Sequence, residues 1–349
     1  MAFLKDSWYC AGWSHEISRK PLLRTILGKP IVLYRKEDGT AVALSDTCPH
    51  RFAPLHLGEL RGDAIECPYH GLQFRESGVC ILNPHGGPIT AALKVDAFPI
   101  VERDLTLWIW MGRADAADAA LIPDCSHHVA PDFKALFTYI AVGGNYELVN
   151  DNLLDLTHVR FLHKSFQAPN AGVFEYDLIQ KGRTVTSIYN MLDTEKSSML
   201  QMMWPQGPER VDLYNDMQWN APSNFRHINR NTGRGQPVDQ GITGITSHLI
   251  TPETETTSHY FLAYARNWRR EEDAFEEALQ AGLENAVRGD DEWMIAHVQN
   301  RMGPTSDLMS LHPVILQTDS AAVRARRILA KLIREERGGN AAEKAVTVA

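Results

Sequence analysis

The 349-residue sequence contains no run of about 18 apolar residues, which argues against a membrane-spanning helix. Its first ten residues, MAFLKDSWYC, carry no apolar h-region, so no secretory leader is expected and the expected compartment is the cytoplasm. Positive charge is not in excess. The net charge of −8 argues against a general nucleic-acid or anionic-membrane partner. No G-x-G-x-x-G stretch sits at a strand–helix junction, so no flavin or dinucleotide fingerprint is present. There is no internal repeat. Cysteine is scarce and odd in number, at five residues, which argues against a disulfide framework. Cys10, Cys80 and Cys125 read as buried thiols; only Cys48 and Cys67 have neighbours of metal-ligand type.

What is present suggests two domains, since the length is enough for two separate cores. Residues 1–115 read as short strands separated by turn signals, an all-β pattern. Examples are Pro30-Ile31-Val32-Leu33-Tyr34, Ala41-Val42-Ala43-Leu44 and Leu105-Thr106-Leu107-Trp108-Ile109-Trp110. Ala114 to Pro131, rich in Ala, Asp and Pro, reads as a linker. A second domain over 116–338 is expected to mix helices and strands. Its helices are predicted over Tyr146–Lys164, Glu271–Gln299 and Ser320–Arg337, with strand patterns around Ser247–Leu249 and His259–Tyr264. Asn229 to Gly241 reads as a mobile, glycine-rich loop. Residues 339–349 read as a flexible tail. The expected fold class is α+β.

Two ligand patterns stand out. The first is Cys48-Pro49-His50, sixteen residues, then Cys67-Pro68-Tyr69-His70. Thiolates hold iron–sulfur clusters, and replacing two of them by imidazoles on one iron makes the cluster less negative and raises its potential. Cys48 and Cys67 are assigned to one iron, His50 and His70 to the other. A structural zinc site is the competing reading, but zinc knuckles pair two cysteines within each half. A Cys-x-His half followed by a Cys-x-x-His half is the Rieske arrangement.

The second pattern is Asp155-Leu156-Thr157-His158, four residues, then His163. Two imidazoles and one carboxylate hold Fe(II) while leaving coordination positions open for dioxygen. His158 and His163 stand about 140° apart around a regular α-helix. Their convergence requires a widened or broken helix, and a π-bulge near Val159–Leu162 is the expected device. Asn152 and Asp155 precede the pair on the same segment. Asp155, three residues before His158, is placed to accept the free N–H of that ring. The third ligand must come from elsewhere. Asp290 and Asp291 are the candidates, one of them expected to act as a helix cap and Asp291 favoured as the ligand.

With both motifs placed, the chain resembles the oxygenase component of a Rieske non-haem iron oxygenase. Within that family it resembles the O-demethylating monooxygenases for vanillate and dicamba. The resemblance rests on Cys48-Pro-His-Arg-Phe-Ala-Pro-Leu, Cys67-Pro-Tyr-His-Gly-Leu, Asn145-Tyr146, Asp151-Asn152-Leu-Leu-Asp155-Leu-Thr-His158 and Thr251-Pro-Glu-Thr-Glu255. It implies a Rieske [2Fe-2S] β-domain followed by a helix-grip catalytic domain. It also implies a head-to-tail homotrimer in which electrons pass from His70 of one chain, through Asp155, to His158 of the next. Dioxygen would be the co-substrate and a small aromatic molecule the substrate, with NADH-derived electrons delivered by a separate reductase and perhaps a ferredoxin. The implied reaction is alkyl C–H hydroxylation leading to O-demethylation or N-dealkylation with release of an aldehyde. Ring hydroxylation or dihydroxylation is the competing enzyme reading, and a Rieske electron carrier the competing non-enzyme one. Two substrate contacts of the dicamba-type enzymes map onto His248 and, in place of an asparagine, His227. A substrate-stacking tryptophan maps near Gly282 and is therefore missing.

Overall fold

The computed structural model describes residues 3–170 and 172–347, with the side chains of 273 and 339–347 left aside. The chain divides into two compact units. Lys5–Ile122 with Thr251–Thr254 form one, and Pro123–Ile250 with the chain from Glu255 onward form the main part of the other.

The first unit consists of three small antiparallel sheets. One joins Trp8–Trp13, Thr106–Trp110 and Ile100–Arg103, and a second joins Leu22–Ile26, Lys29–Arg35 and Ala41–Ser45. The third is made of the short strands Glu59–Arg61, Ala64–Glu66, Gln73–Phe74 and Cys80–Leu82. Val32, Tyr34, Leu44, Ile65 and Phe74 pack into one apolar core, and the thiols of Cys48 and Cys67 are part of it. The expected linker is not extended chain. It contains three short 3-10 turns, Ala114–Ala116, Ala119–Leu121 and Ser126–His128.

The second unit is built on a seven-stranded antiparallel sheet. In spatial order its strands are Lys134–Val142, Ser258–Arg266, Ile242–Pro252, Asn224–Gly233, Arg210–Asn220, Thr184–Glu195 and Val173–Lys181. The core between sheet and helices includes Val149, Leu153, Trp219, Tyr260, Leu279 and Ile295. The loop expected over Asn229–Gly241 is shorter than expected. The strand continues to Gly233, Asn229 and Asn231 being joined in a side-chain hydrogen-bond network, and residues 234–241 turn.

Helix Tyr146–Leu154 carries the first part of the site. Asn145 caps it, its side chain accepting from Glu147 N at 2.9 Å, while Asn145 Nδ2 donates to Glu255 O at 2.7 Å. Its last carbonyl, on Leu154, accepts from the hydroxyls of Tyr189 at 2.9 Å and Ser187 at 3.3 Å, which pins the helix end to the sheet. Arg326, from the helix Ser320–Thr347, donates to Glu147 and to both oxygens of Asp151. Burial pushes the Glu147 carboxyl up to about 7, against the pull of the Arg326 guanidinium. The residues expected as a flexible tail enter this last helix as far as Thr347.

Candidate metal centres and substrate pocket

The first motif forms two loops of the same design. Cys48 N donates to Ala53 O and Phe52 N to Cys48 O; Cys67 N donates to Leu72 O and Gly71 N to Cys67 O. In each loop the residue four beyond the cysteine has positive φ, Phe52 at +57° and Gly71 at +71°. The histidine is the third residue of one loop and the fourth of the other, which gives the Cys-x-His and Cys-x-x-His halves. The two imidazoles meet at 4.5 Å between ring centres. Both thiols are buried, His50 is exposed and His70 is half-buried. Burial pushes the Cys48 thiol up to about 11, and Cys67 beside it adds to the shift. A metal ion beside the Cys48 thiol would reverse that shift and bind it as the thiolate. A buried sulfur pair with a more exposed pair of imidazoles fits a cluster with one iron inside and the other near the surface. His85 Nε2 contacts His70 O at 3.0 Å, steadying the second loop.

The second motif is assembled from two irregular helices. The expected single helix Tyr146–Lys164 breaks at Asp155 (φ −121°, ψ 88°) and again at His163 (φ −95°, ψ 91°). A 3-10 turn, Leu156–His158, and one helical turn, Val159–Leu162, lie between. These two breaks turn His158 and His163 toward each other, so the π-bulge predicted at Val159–Leu162 is not the device. A π-helix does occur on the opposite wall, over Asn285–Glu292, inside a continuous helical run from Asp273 to Met302. Asp290 and Asp291 therefore sit in mid-helix and cap nothing.

His158, His163 and Asp291 offer ligand atoms that all lie within 4.8 Å of one another. Nε2 of His163 is 3.2 Å from Asp291 Oδ1, and Nε2 of His158 is 3.4 Å from the same oxygen. The other ring nitrogens face acceptors: Nδ1 of His158 contacts Asp155 O at 2.6 Å and Nδ1 of His163 contacts Asp290 Oδ2 at 3.0 Å. Each Nδ1 therefore carries the proton, and both Nε2 lone pairs point at one carboxylate oxygen. Such convergence calls for a cation between them, and the donor set of two imidazoles and a carboxylate suits Fe(II). Burial disfavours charge on Asp291, but the neighbouring His158 and His163 rings outweigh it and hold its carboxyl well below the usual range. Asn152 Nδ2 donates to the same oxygen of Asp291 at 3.1 Å.

Asp155 differs from the expectation in one respect. Its backbone carbonyl, not its side chain, receives the His158 N–H. The carboxylate instead caps the next turn, Oδ1 accepting from Thr157 N at 2.9 Å and Thr157 Oγ1 at 2.5 Å. The helix break at Asp155 removes the i,i+3 alignment on which the expectation relied.

A cavity of about 400 Å³ opens from this triad between sheet and helices. Leu156, Met199, Met203, Leu213, Leu262 and Val287 supply much of its apolar wall. Gly282 contributes no side chain, and Met199 lies where one would project, 3.1 Å from a Cβ built there. His227 and His248 both line the cavity, ring centres 6.1 Å apart and nearly parallel. Neither is a surface histidine. Burial pushes His248 down to about 3 and His227 down to about 4, so both rings are neutral near pH 7. His227 Nε2 donates to Asn215 Oδ1 at 3.1 Å, and Asn229 Nδ2 donates to the same oxygen at 2.7 Å. His248 Nδ1 meets the Tyr260 hydroxyl at 2.5 Å. The sequence reading missed Asn215, Tyr260 and the contact of Asp290 with His163. Strand alternation could have placed the first two beside His227 and His248. Nothing local signals the third.

Comparison with known proteins agrees with both halves. Residues 7–99 match the Rieske [2Fe-2S] domain, and residues 142–335 match the vanillate O-demethylase oxygenase C-terminal domain. The chain is 36% identical over 334 residues to the dicamba O-demethylase oxygenase component of Stenotrophomonas maltophilia, covering 95% of this chain and 98% of that one. It is 33% identical to the chloroacetanilide N-alkylformylase oxygenase component of Rhizorhabdus wittichii, covering 96% and 97%. A crystal structure of dicamba monooxygenase bound to 3,6-dichlorosalicylic acid superposes with a TM-score of 0.91 at 34% identity, covering 97% of this chain and 99% of that one.

Proposed function

We propose, since this chain belongs to the Rieske non-haem iron oxygenases of the vanillate and dicamba O-demethylase type, that it hydroxylates an alkyl C–H of a small aromatic substrate. It is an oxidoreductase, the oxygenase component of a multicomponent monooxygenase. Attack on a methyl group borne by an aryl ether oxygen yields a hemiacetal, which collapses to a phenol and formaldehyde. Attack on a carbon borne by nitrogen yields N-dealkylation. The balance is one dioxygen, two electrons and two protons per C–H hydroxylated, with one oxygen atom leaving as water. The single observation that carries this reading is the convergence of His158 Nε2 and His163 Nε2 on Asp291 Oδ1 at the head of an apolar cavity.

A cluster at the first site supplies single electrons, and iron at the second supplies dioxygen activation. Cys48, Cys67, His50 and His70 are the residues that hold the cluster, and His158, His163 and Asp291 those that hold the iron. Asp155 O and Asp290 fix the two imidazole tautomers that leave Nε2 free for the metal. Asn152 orients the Asp291 carboxylate. The cavity walls exclude water and hold one C–H bond toward the triad, which is positioning rather than acid–base work. The proposed domains are 1–115 for the cluster and 116–338 for catalysis. A separate reductase supplies the electrons from NADH, the assembly is a homotrimer with Asp155 on the electron path between chains, and the compartment is the cytoplasm. The test is an aldehyde assay over methoxy-aromatics with a surrogate reductase, NADH and dioxygen, alongside iron analysis. Three irons per chain with dioxygen-dependent formaldehyde supports the reading. Two irons and no turnover points to an electron carrier, and a diol product to a ring dioxygenase.

A further inference from the structure

Four methionines, Met191, Met199, Met203 and Met217, line the cavity, and among its described lining residues none is a cysteine or tryptophan. A methionine wall needs no more explanation than irregular apolar packing, unless an oxidant is made beside it. Met217 is the one built into the triad end. It is 1% exposed and lies on the strand Arg210–Asn220. Its partners across the neighbouring strands are His227 on one side and Ser187 on the other. Directly opposed residues hold their Cβ atoms about 5 Å apart on one face of a sheet. The His227 ring lies 6.1 Å from that of His248, and the Asp291 carboxylate is near enough to His248 to act on it electrostatically. Ser187 Oγ donates to Leu154 O at 3.3 Å, and the next residue, Asp155, holds His158 by its carbonyl. Met217 is therefore bracketed by contacts that lead to Asp291 on one side and to His158 on the other. Met199 is placed differently. Its Cε is 3.1 Å from a Cβ built at Gly282, about two helical turns before Asp291.

A thioether takes up one oxygen atom more readily than any other group on this wall. With no substrate in the cavity, the Met217 sulfur is the oxidisable group held at the triad end. We infer that the iron site, supplied with electrons and dioxygen but no substrate, transfers an oxygen atom to Met217 and converts it to the sulfoxide. One atom of dioxygen bonds to Met217 Sδ, and the other leaves as water with two electrons from NADH and two protons. The O–O bond breaks, an S–O bond forms, and no bond to sulfur is lost. Sulfur is oxidised by two electrons while dioxygen is reduced by four. The step needs no particular tautomer of His227 or His248 and no counter-charge to the iron, since the thioether is neutral. This rests on the oxygenase reading of the site and adds one of the chain's own residues to the groups it oxidises.

The product changes the pocket. A sulfoxide brings a polar oxygen into a wall where Met217 is enclosed, which disrupts apolar packing. Turnover without substrate thus marks the protein at one place and spoils the surface that positions a C–H bond. A bound substrate shields Met217 by standing between its sulfur and the triad. Simple exposure gives the opposite order of damage. Met294 and Met309 are 39% and 38% exposed, and an oxidant free in solution reaches them before Met217.

The test is peptide mass spectrometry after turnover. Iron-loaded protein receives a surrogate reductase, NADH and isotopically heavy dioxygen, with catalase present to remove peroxide and no substrate. Met217 is expected to gain one heavy oxygen atom ahead of Met294 and Met309. A methoxy-aromatic that releases formaldehyde, added at about ten times its Kd, should cut this gain about 10-fold, to the fraction of sites left empty. His163→Ala should abolish the gain while the cluster's visible spectrum stays intact. Protein carrying Zn(II) in place of the mononuclear iron makes the same comparison without a substitution. Met294 or Met309 oxidised first, an unlabelled oxygen on Met217, or a gain that survives loss of the iron overturns the inference. So does a Met217 that stays unmodified. Formaldehyde from a methoxy-aromatic in that same preparation leaves the oxygenase reading intact, whereas its absence sinks both. Labelled Met217 with no aldehyde from any methoxy-aromatic supports the inference and sinks the dealkylation reading.

Discussion

The two candidate metal centres are built in opposite ways. The cluster site comes from two short loops, Cys48–Ala53 and Cys67–Leu72, each closed by the same pair of backbone hydrogen bonds. Every group it needs lies within six residues of a cysteine. The iron site joins His158 and His163 to Asp291, more than a hundred residues away, and neither contributing helix is regular. A site made by local backbone geometry is defended by turn chemistry. A site made by distant side chains is defended by whatever fixes their tautomers and rotamers. The two centres should therefore fail differently.

The largest expected difference is at the π-helix. Asp291→Asn removes the negative charge at which both Nε2 atoms point, and should abolish mononuclear iron binding and turnover while the cluster's visible spectrum stays intact. Asp290→Asn removes only the carboxylate on the far nitrogen of His163. It should keep a weakened site, with iron affinity lower by about 10–100-fold. Iron analysis under a chelator series separates the two, and equal losses would mean that the adjacent pair shares one role.

Next in size is Asp155→Asn. Asp155 Oδ1 is occupied by Thr157, so an isosteric amide keeps the helix break and the His158 tautomer, which depend on a backbone carbonyl. Iron content and cluster reduction should stay near normal while turnover falls by orders of magnitude, if the carboxylate relays electrons between chains. Stopped-flow reoxidation of the reduced cluster in single turnover checks this. Reoxidation at the unmodified rate would remove Asp155 from the electron path.

Legibility in the sequence follows the same division. The Rieske halves, the strand-rich first unit and the histidine pair can be read from residues close together, because spacing and loop geometry are local properties. The shape of the second site cannot. Asp155 and His163 break the helix through their own backbone angles, and the eight-residue π-helix is stabilised by packing of the whole helix Asp273–Met302 against the sheet. Helical periodicity therefore placed Asp155 beside His158 by its side chain, when a broken helix gives that contact to the carbonyl. The pocket histidines were legible as strand residues facing a ligand. Their charge was not, since it depends on burial supplied by strands far off in the sequence.

That burial has a pH consequence in the catalytic unit. His227 is held down at about 4, mainly by burial, whereas an unfolded histidine titrates near 6.5. The folded state binds fewer protons than the unfolded one between those values. The stability contributed by neutral His227 is present above about pH 6.5 and is lost as pH falls through about 4. Its full size is about 3 kcal/mol, at 1.36 kcal/mol per unit. His227→Asn should flatten denaturant stability between about pH 4 and 6.5 relative to the parent protein. An unchanged slope would show that water reaches the ring in solution.

The smallest effect is the one that tests whether the two cluster loops are equivalent. Gly71 and Phe52 hold the same place in the two loops and share a positive φ, +71° and +57°. A non-glycine residue in this region costs about 1 kcal/mol, and glycine there is free of that strain. Gly71→Ala adds that strain and sets a Cβ 3.1 Å from Pro84 Cγ, so the second loop should lose about 1–2 kcal/mol. Phe52→Gly relieves the strain but adds freedom to the unfolded chain, two terms of similar size, so its net change should stay within about 0.5 kcal/mol. Phe52 is also 77% exposed, so its ring contributes little packing within the chain. Thermal melts followed by cluster absorbance should show a clear drop for Gly71→Ala and almost none for Phe52→Gly. If Phe52→Gly melts as early as Gly71→Ala, the ring is held against something in the assembled protein, and the two loops are alike in backbone but not in what they support.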